Sequence, residues 1–296
     1  MLFTGASGFI GNNIKPILSL SYDIKTLGMA STDDYFLNLG NEVPDLKEKF
    51  DIILHAAGKA HTVPKTKEEN KVFFDINFQG TKNLCLALEK TGVPSSFIFL
   101  STVAVYGLEF GDYINEDYPL NGDTPYALSK IKAEDYLIDW CRVNGVLLSI
   151  IRPSLIAGPN PPGNLGKMIN GIKTGLYLSI SGGKARKSVL MVQDIANLIP
   201  LLAKKGGIYN VCDTEQPTFR DLEILISKQL GKPNPISIPI WIAKYLAKIG
   251  DFVGSKSPIC TSKFDKITKS LTFSNEKIRL ALDWEPINVL HNFKIK

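Results

Sequence analysis

A tyrosine and a lysine four residues apart, in Tyr126-Ala-Leu-Ser-Lys130, form the pair best suited to proton transfer. On a helix, positions i and i+4 lie on one face, which places the Lys130 ammonium beside the Tyr126 phenol. A nearby cation lowers the pKa of a phenol, so this pair predicts that Tyr126 is an acid/base. The same spacing also occurs in exposed helix pairs without chemistry. Ser101-Thr102 argues against that alternative, because it ends an apolar run and ligands of open α/β sheets bind at carboxyl ends of strands.

The beginning of the chain, Met1-Leu-Phe-Thr-Gly-Ala-Ser-Gly-Phe-Ile-Gly11, predicts a strand, a glycine turn and a helix. Gly5 permits a turn that other residues resist, Gly8 lets the backbone approach a pyrophosphate, and Gly11 lets the helix pack on the strand. The N–H groups at the helix N-terminus then face the phosphates. A tight turn without a ligand is the alternative. The strand and helix on either side of the glycines favour a dinucleotide site.

Length and composition indicate a globular protein of about two domains, with 296 residues, 44% hydrophobic and 21% charged. The cysteines at 85, 141, 212 and 260 are far apart, which indicates reduced cytosolic thiols and argues against a metal site. We expect a cytoplasmic protein without a signal peptide, because the glycine turn begins at once, and without an integral membrane segment.

The net charge of +5 comes from the end of the chain, since residues 241–296 contain ten basic and five acidic side chains. This excess indicates either a solvated basic surface or attraction to a diphosphate substrate or an anionic membrane. No basic run is interleaved with aromatic residues, so we do not expect nucleic acid as a partner.

Apolar runs that alternate with helical patterns predict an α/β fold with a Rossmann-type, doubly wound parallel sheet. The expected strands are 2–4, 23–27, 35–39, 51–57, 97–100 and 146–151, and the expected helices 9–20, 68–90 and 125–140. A proline-rich loop at 158–163 then marks a boundary.

We expect an NAD(P)-binding domain over 1–157, joined by a returning segment at 187–213. A smaller mixed substrate domain is expected from 158–186 and 214–296. After the boundary the sequence predicts helices at 164–174, 194–203 and 219–230 and strands at 187–192 and 208–211. The apolar stretch 236–253 could be an interfacial helix, but its few charges favour a packed helix.

Several motifs occur in an order typical of one family. They are Thr4-Gly-Ala-Ser-Gly-Phe-Ile-Gly11, His55-Ala-Ala-Gly58, Asn77-Phe-Gln-Gly-Thr81, Leu100-Ser-Thr-Val-Ala-Val-Tyr-Gly107, Tyr126-Ala-Leu-Ser-Lys130 and Arg152-Pro153. With them the chain closely resembles the extended short-chain dehydrogenase/reductase family, in its nucleotide-sugar epimerase/dehydratase branch. The resemblance implies an NAD or NADP cofactor and a nucleotide-sugar substrate. It also implies a homodimer formed through the helices at 68–90 and 125–140.

The resemblance also assigns roles to residues. Thr102 would bond the reacting sugar oxygen, Tyr126 would be the acid/base, and Lys130 would hold the ribose and lower the pKa of Tyr126. Substrate-binding positions would be Thr102, Val103, Arg186 and Lys187. Cofactor-binding positions would be Gly5, Ser7, Gly8, Phe9, Ile10, Gly11, Asn38, Leu39, Ala56, Ala57, Gly58, Asn77, Ser101, Tyr126, Lys130 and Pro153. Asn38 stands where the family more often has Asp, which weakens the adenine contact.

The implied reaction is hydride transfer at C4 of an activated sugar. The tail from Ser270 to Pro286 and the stretch His55-Ala-Ala-Gly-Lys-Ala-His61 resemble bacterial polysaccharide-pathway 4-epimerases and 4-keto reductases of UDP-N-acetyl sugars. A 4,6-dehydratase is not expected, because Val103 and Ala104 replace the acidic pair that such enzymes use. The alternatives are a reductase of another carbonyl compound and a catalytically silent NAD(P)-binding sensor.

The second strand bears on the choice of cofactor. NAD enzymes of this fold usually end that strand with a carboxylate that bonds the ribose 2′-OH. Here no carboxylate appears until Asp33, so we expect tolerance of NADP(H) and slightly favour a 4-keto reductase over a 4-epimerase.

Overall fold

A seven-stranded parallel sheet forms the centre of the computed structural model, which describes residues 1–60, 62–253 and 261–295. His61 and Cys260 lie outside these ranges. The strand order is β11-β7-β5-β4-β1-β2-β3. These strands are β1 (Leu2–Thr4), β2 (Lys25–Gly28), β3 (Tyr35–Phe36), β4 (Ile52–His55), β5 (Ser96–Leu100), β7 (Leu147–Pro153) and β11 (Gly207–Val211). The order reverses direction at β1 and β4, where open sheets of this kind bind their ligands.

Helices cover both faces of this sheet, as the sequence predicts. One layer contains α1 (Phe9–Leu18) and α6 (Val192–Lys205), whose apolar side chains share a core with Phe3 and Leu54. The other contains α3 (Gly80–Thr91) and α4 (Pro125–Asn144), which pack with Leu27 and Phe97. The predicted doubly wound α/β fold is confirmed, and the returning strand β11 pairs with β7 at the sheet edge.

The expected helix at 68–90 has a different form in the structure. It is divided into α2 (Lys67–Phe74), a π-helical turn (Asp75–Gln79) and α3. The wider turn contains Asn77, a buried residue whose side chain bonds two other segments. Turns of this type are frequent at functional sites.

The remaining elements form the C-terminal part and its supports. Three small two-stranded sheets pair β6 (Gly111–Ile114) with β13 (Leu271–Phe273), β8 (Leu155–Ala157) with β10 (Val189–Met191), and β9 (Ser179–Ile180) with β12 (Ser237–Ile238). The remaining α-helices are α5 (Gly163–Lys173), α7 (Phe219–Leu230), α8 (Ile240–Val253), α9 (Thr261–Thr268), α10 (Glu276–Leu282) and α11 (Val289–Asn292). A separate apolar core joins α5, α7 and α11.

Helix α8 packs through small residues. Ala243, Ala247 and Gly250 are buried, and the two alanines contact a small core that contains Ile180 and Phe264. Trp241 and Tyr245 point outward and are 69% and 66% exposed. The packed helix that the sequence favours is therefore present, but its largest side chains are on the solvent face. Over the part of the chain that the structure describes, no helix has the length and apolar character needed to cross a membrane.

Two buried aspartates attach the end of the chain to the body. The Asp194 carboxylate accepts hydrogen bonds from the Ile287 N–H at 3.1 and 3.2 Å, and Asp213 Oδ2 accepts one from the Val289 N–H at 2.7 Å. Burial, together with the nearby Asp213, raises the pKa of Asp194 to about 7, and the hydrogen bond from the Ile287 N–H opposes this shift. Attachment of the tail is therefore linked to protonation.

Candidate active site

The glycine turn between β1 and α1 leaves no room for side chains. Gly5 has φ +76°, and a Cβ added to it would lie 2.6 Å from the Ala57 backbone nitrogen. A Cβ added to Gly11 would lie 2.3 Å from the Ala6 carbonyl oxygen. Both glycines are therefore required by close approach, the first to the end of β4 and the second within the turn.

The N-terminus of α1 suits a diphosphate. Gly8 caps the helix without a side-chain hydrogen bond, and the first turn contains no acidic residue. The free N–H groups and the positive end of the helix favour an anionic group. Ser7, Phe9 and Ile10 belong to this turn and first helical residues, so the structure places the predicted phosphate-binding residues together. These features fit the diphosphate of NAD or NADP.

A buried hydrogen-bond chain fixes the sheet edge next to this turn. Thr81 Oγ1 donates to the Asn77 carbonyl at 2.7 Å, so it accepts from His55 Nε2 at 2.9 Å. His55 Nδ1 then accepts from Thr4 Oγ1 at 2.6 Å, and Thr4 Oγ1 accepts from the Ala57 N–H at 3.1 Å. Burial lowers the pKa of His55 to about 3, so the imidazole is neutral. The chain thereby ties β1, β4 and α3 to the expected cofactor position Ala57.

Asn77 brings a second group of expected cofactor residues together. Its Oδ1 accepts from the Lys59 N–H at 2.7 Å, and its Nδ2 donates to Ser129 Oγ at 2.8 Å. A Cβ added to Gly58 would lie 3.0 Å from Asn77 Oδ1 and 3.4 Å from Lys130 Nζ. The loop after β4 is thus held against α4, with Lys130 at the carboxyl edge of the sheet.

Tyr126 and Thr102 meet at this edge. Burial raises the pKa of Tyr126, and a hydrogen bond with the Thr102 side chain opposes that effect. Thr102 Oγ1 also accepts from the Ala104 N–H at 3.1 Å, which begins a short 3₁₀ helix at Val103. The predicted phenol and hydroxyl therefore lie near each other.

Lys130 has partners within the protein. Its Nζ donates to the Leu100 carbonyl at 2.8 Å and lies 4.4 Å from the ring centre of Phe99. Burial lowers the pKa of Lys130 to about 8, and Glu134 opposes the shift. The ammonium bonds the carbonyl and the pKa of Tyr126 is raised, so the effect of Lys130 on the pKa of Tyr126 stays a prediction.

The Ser101 hydroxyl donates to the buried Glu134 carboxylate, and its contact with the cofactor stays a prediction. That carboxylate accepts hydrogen bonds from Nε and Nη2 of Arg152, and Arg152 Nη1 donates to the Tyr106 hydroxyl at 3.0 Å. Tyr106 in turn donates to Asn210 Oδ1 at 2.7 Å. The Ser101 side chain therefore belongs to a buried network below the site, which we call the Glu134–Arg152 network.

Most of the Glu134–Arg152 network has no clear signal in the sequence. Glu134 lies four residues after Lys130 on α4, which is typical of an exposed helix charge. Arg152-Pro153 could be recognised in the sequence only as a family motif, which does not indicate that Arg152 is paired with Glu134. The structure buries both charges at the ends of β5 and β7. Pro153 ends β7, and the buried hydroxyl of the next residue, Ser154, has no hydrogen-bond partner among the described residues.

The turn after β2 contains the carboxylate of Asp33, which is five residues beyond the end of the strand in sequence but close to it in space. Asp33 Oδ2 accepts from the Ala30 N–H at 2.9 Å, so the turn folds back on the strand end. A Cβ added to Gly28 would lie 2.6 Å from the same oxygen. A carboxylate therefore lies beside the last residue of β2, where an NAD enzyme of this fold holds the ribose 2′-OH.

Asn38 and Leu39, the two residues expected to contact adenine, already form hydrogen bonds within the protein. Asn38 Oδ1 accepts from the Gly40 N–H at 3.0 Å, and the Leu39 carbonyl accepts from Asn83 Nδ2 at 2.7 Å. This turn ends β3 at Phe36, earlier than predicted. Leu39 is buried in the core beneath α3.

The two predicted diphosphate cations lie before β10 and have protein partners. Arg186 Nη1 donates to the Gln216 carbonyl at 2.9 Å, and Lys187 Nζ donates to the Lys269 carbonyl at 3.1 Å. Burial lowers the pKa of Lys187 to about 8. Both side chains are thus held by the C-terminal part, and their role toward a substrate stays a prediction.

Comparison with known proteins agrees with this geometry. The model of the NAD dependent epimerase/dehydratase family matches residues 1–212. The N-acetyl-alpha-D-glucosaminyl-diphospho-ditrans,octacis-undecaprenol 4-epimerase of Escherichia coli O157:H7 is 29% identical, over 79% of this chain and 73% of the relative. The GDP-6-deoxy-D-mannose reductase of Pseudomonas aeruginosa is 28% identical, over 77% of this chain and 79% of the relative.

A solved structure shows the same fold. The UDP-glucose 4-epimerase of Thermus thermophilus, in complex with NAD, has a TM-score of 0.71 at 22% identity, with 96% of this chain and 93% of that chain covered. The family model, the glycine turn and the Thr102–Tyr126–Lys130 arrangement lead to the same conclusion. The chain belongs to the NAD dependent epimerase/dehydratase family and is an NAD(P)-dependent enzyme of the extended short-chain dehydrogenase/reductase type.

Proposed function

We propose that the enzyme carries out oxidoreduction at C4 of a sugar that is activated by a diphosphate, in the synthesis of a surface polysaccharide. The observation that carries this proposal is the placement of Tyr126 beside Thr102, which follows the carboxyl end of β5, while the glycine turn follows the carboxyl end of β1. A nucleotide sugar is the proposed substrate, and the names of the related UDP-glucose 4-epimerase and GDP-6-deoxy-D-mannose reductase support this class.

The proposed step assigns one task to each residue. NAD(P), when bound, supplies or accepts the hydride. Tyr126 transfers the proton at the sugar oxygen, and the Thr102 hydroxyl orients that oxygen. Lys130 lies one helical turn from Tyr126 and holds the ribose side of the site. Because Val103 and Ala104 carry no acid or base, elimination of water is not part of the proposal.

For the overall outcome we propose a 4-keto reductase, on the strength of the tail that resembles such enzymes. A 4-epimerase is the second candidate. The Asp33 carboxylate beside β2 favours it, because NAD retained through a turnover is the usual cofactor of an epimerase, and this carboxylate suits NAD. Arg186 and Lys187 remain the proposed diphosphate ligands. Segments 158–186 and 214–296 remain the proposed substrate domain.

One experiment tests the proposal and separates its two outcomes. The purified protein is incubated with UDP-sugars and 4-keto UDP-sugars, and nicotinamide absorbance and sugar products are followed. NAD(P)H consumed in step with a 4-keto sugar identifies the reductase, whereas a C4 epimer without net cofactor change identifies the epimerase. Release of a 4-keto-6-deoxy sugar from a UDP-hexose would refute the proposal.

The Tyr126→Phe variant tests the proton transfer directly. We expect turnover to fall by at least about a hundredfold, which is the usual minimum for general acid/base catalysis. Cofactor binding should stay near the wild-type level, because the phosphates are held at α1. Tyr118→Phe, an exposed tyrosine outside the site, is the matched control. Retention of more than about a tenth of the rate would contradict the role of Tyr126.

We also propose that the enzyme is a homodimer through α3 and α4. Their outer faces expose apolar side chains, among them Leu86, Leu128, Ile138 and Val143. Twofold dimers are the commonest oligomers, and a face formed by two adjacent helices can be self-complementary. Light scattering at micromolar concentration should give the dimer mass, and Leu128→Glu with Ile138→Glu should give the monomer. A wild-type monomer would refute this proposal.

A further inference from the structure

The outer face of α8 has an unusual distribution of side chains. Trp241, Tyr245 and Ile249 follow one another at a spacing of four and form an exposed stripe on one face. Lys244 and Lys248, both exposed, lie next to this stripe. We call these five residues the α8 stripe. The side turned inward consists of alanines and a glycine, so the large side chains contribute little to the core.

Further exposed apolar residues lie just before α8. Ile236 is exposed, and its carbonyl accepts a hydrogen bond from the Ser179 N–H at 3.0 Å. The exposed Leu178 precedes Ser179 in the paired strand β9. Exposed apolar residues therefore also precede both strands of the pair β9–β12, which comes just before α8 in the chain.

We propose that the α8 stripe docks on the surface of an anionic lipid bilayer. Tryptophan and tyrosine are favoured at the membrane interface, because one end of each side chain is apolar and the other is polar. Lysines beside such a stripe reach the headgroups while their stems stay on apolar surface. The basic excess of residues 241–296 has the sign that attracts anionic lipid.

Other occupants fit the α8 stripe less well. A symmetric contact with a second copy would bring the lysines of one stripe close to the lysines of the other, which is electrostatically unfavourable. Lysine is also depleted in protein–protein interfaces. Asp251 is the acidic residue at this end of α8, and its carboxylate is bonded by the Thr261 N–H and hydroxyl. Lys244 and Lys248 therefore give this face of α8 a positive charge.

The tryptophans provide a specific probe of this docking. Trp140 and Trp284 are each 6% exposed, whereas Trp241 is 69% exposed. Insertion of the stripe into the headgroup region should therefore shift the fluorescence of Trp241 to shorter wavelength and leave the other two unchanged. The Trp241→Phe variant should lose the shift but still bind vesicles.

The test uses the full chain and vesicles of phosphatidylcholine and phosphatidylglycerol in equal amounts. We expect the protein to sediment with these vesicles, and Trp241→Ser with Tyr245→Ser to stay in solution. Lys244→Gln with Lys248→Gln should weaken binding by about thirtyfold, since two lysines near an anionic surface are removed. That loss should shrink on vesicles of phosphatidylcholine alone.

Matched controls keep the result specific to this face. Leu20→Ser changes an exposed apolar residue elsewhere, and Lys204→Gln with Lys205→Gln removes an exposed lysine pair at the end of α6. Both controls should bind like the wild type. Absence of vesicle binding, or equal losses in the α8 variants and the controls, would overturn the proposal. A dimer that Trp241→Ser dissociates, without vesicle binding, would assign the stripe to self-association instead.

The membrane proposal does not depend on the proposed reaction. Turnover of a water-soluble nucleotide sugar should be the same in the wild type and the Lys244→Gln, Lys248→Gln variant. Failure of vesicle binding with intact turnover would refute only the docking surface, and the converse result would refute only the proposed substrate.

Discussion

Two groups of buried carboxylates in this molecule have different partners. Glu134, in the cofactor-binding half, is paired with the Arg152 guanidinium at 2.5 Å, and the two side chains are 1% and 4% exposed. Asp194 and Asp213, which attach the C-terminal tail, accept hydrogen bonds from backbone N–H groups. Among the described residues neither aspartate forms a salt bridge. One region is therefore held by a charge pair, and the other by groups that pH can neutralise.

The pH response of the tail follows from this difference. The pKa of Asp194 is raised from 3.8 to about 7, so the native state retains a proton that the unfolded chain loses. Its contribution to stability is complete below about pH 4 and is lost as the pH rises toward 7. Burial also raises the pKa of Asp213, which acts in the same direction.

The cofactor-binding half has a response of opposite sign. The pKa of His55 is lowered from 6.5 to about 3, so the unfolded chain binds a proton that the native state does not. Stability from neutral His55 is complete above pH 6.5 and is lost as the pH falls toward 3. Between about pH 4 and pH 6.5 the contributions of His55 and Asp194 oppose each other.

The Glu134→Gln variant should give the largest effect. It leaves the Arg152 guanidinium buried without its counter-charge, which usually costs about 3–5 kcal/mol. The free energy of unfolding in urea measures this loss. The exposed pair Arg142–Asp139 on the same helix is the matched control, and Asp139→Asn should leave the free energy of unfolding unchanged. Equal effects of the two variants would remove the contrast between buried and exposed pairs.

The Asp194→Asn variant should reveal the response of His55. Without Asp194, and with Asp213 as the remaining opposing aspartate, the free energy of unfolding should fall by up to about 2 kcal/mol as the pH drops from about 6.5 to about 5, at about 1.4 kcal/mol per unit. Urea unfolding across this range provides the measurement, with the wild type as the reference. Parallel curves for the two proteins would show that Asp194 does not titrate in this range.

The His55→Asn variant should show the reverse slope. The remaining aspartates would make the free energy of unfolding rise on acidification over the same range, although the variant would be less stable than the wild type at neutral pH. Hydrogen exchange of the Ile287 and Val289 amides would locate the change at the tail. A slope of unchanged sign would contradict the assignment of the two pH responses.

The Asp33→Ser variant should give the smallest effect, a gain of about tenfold in NADPH affinity over NADH affinity. Removal of the carboxylate relieves its repulsion of a 2′-phosphate. Cofactor titration by nicotinamide fluorescence measures both constants, with the exposed Asp45→Ser as control. We expect the wild type to prefer NADH, in contrast to the tolerance of NADP(H) that the sequence predicts. An unchanged ratio in Asp33→Ser would show that the carboxylate does not face the ribose.

Local signals determined how well each element could be predicted from the sequence. Helix α7 has the predicted bounds, because Thr218 and Asp221 form a capping box at its start and Gly231 ends it in the left-handed conformation. The π-helical turn gave no such signal, since it depends on bonds from Asn77 to Lys59 and Ser129, which are remote in sequence.

In the active site too, residues with a local sequence signal could be predicted and residues placed by tertiary contacts could not. Gly5, Thr102 and Tyr126 could be found because their chemistry depends on residue type and spacing. Asp33 could not, because the turn after β2 brings it back to the strand end. Glu134 could not be found either, because its burial depends on β7, which places Arg152 against it. The residues that could not be predicted are therefore those whose position depends on how the chain folds back on itself and not on local sequence patterns.

The returning strand β11 has a consequence for the order in which the chain becomes structured during synthesis. Its pairing with β7, and the bond from Tyr106 to Asn210, are made only after the segment 158–206 has left the ribosome. Until then one edge of the sheet stays unpaired and the Tyr106 hydroxyl lacks its acceptor. A nascent chain that ends at residue 157 should therefore be open to proteolysis, and protection should appear once the residues of β11 emerge.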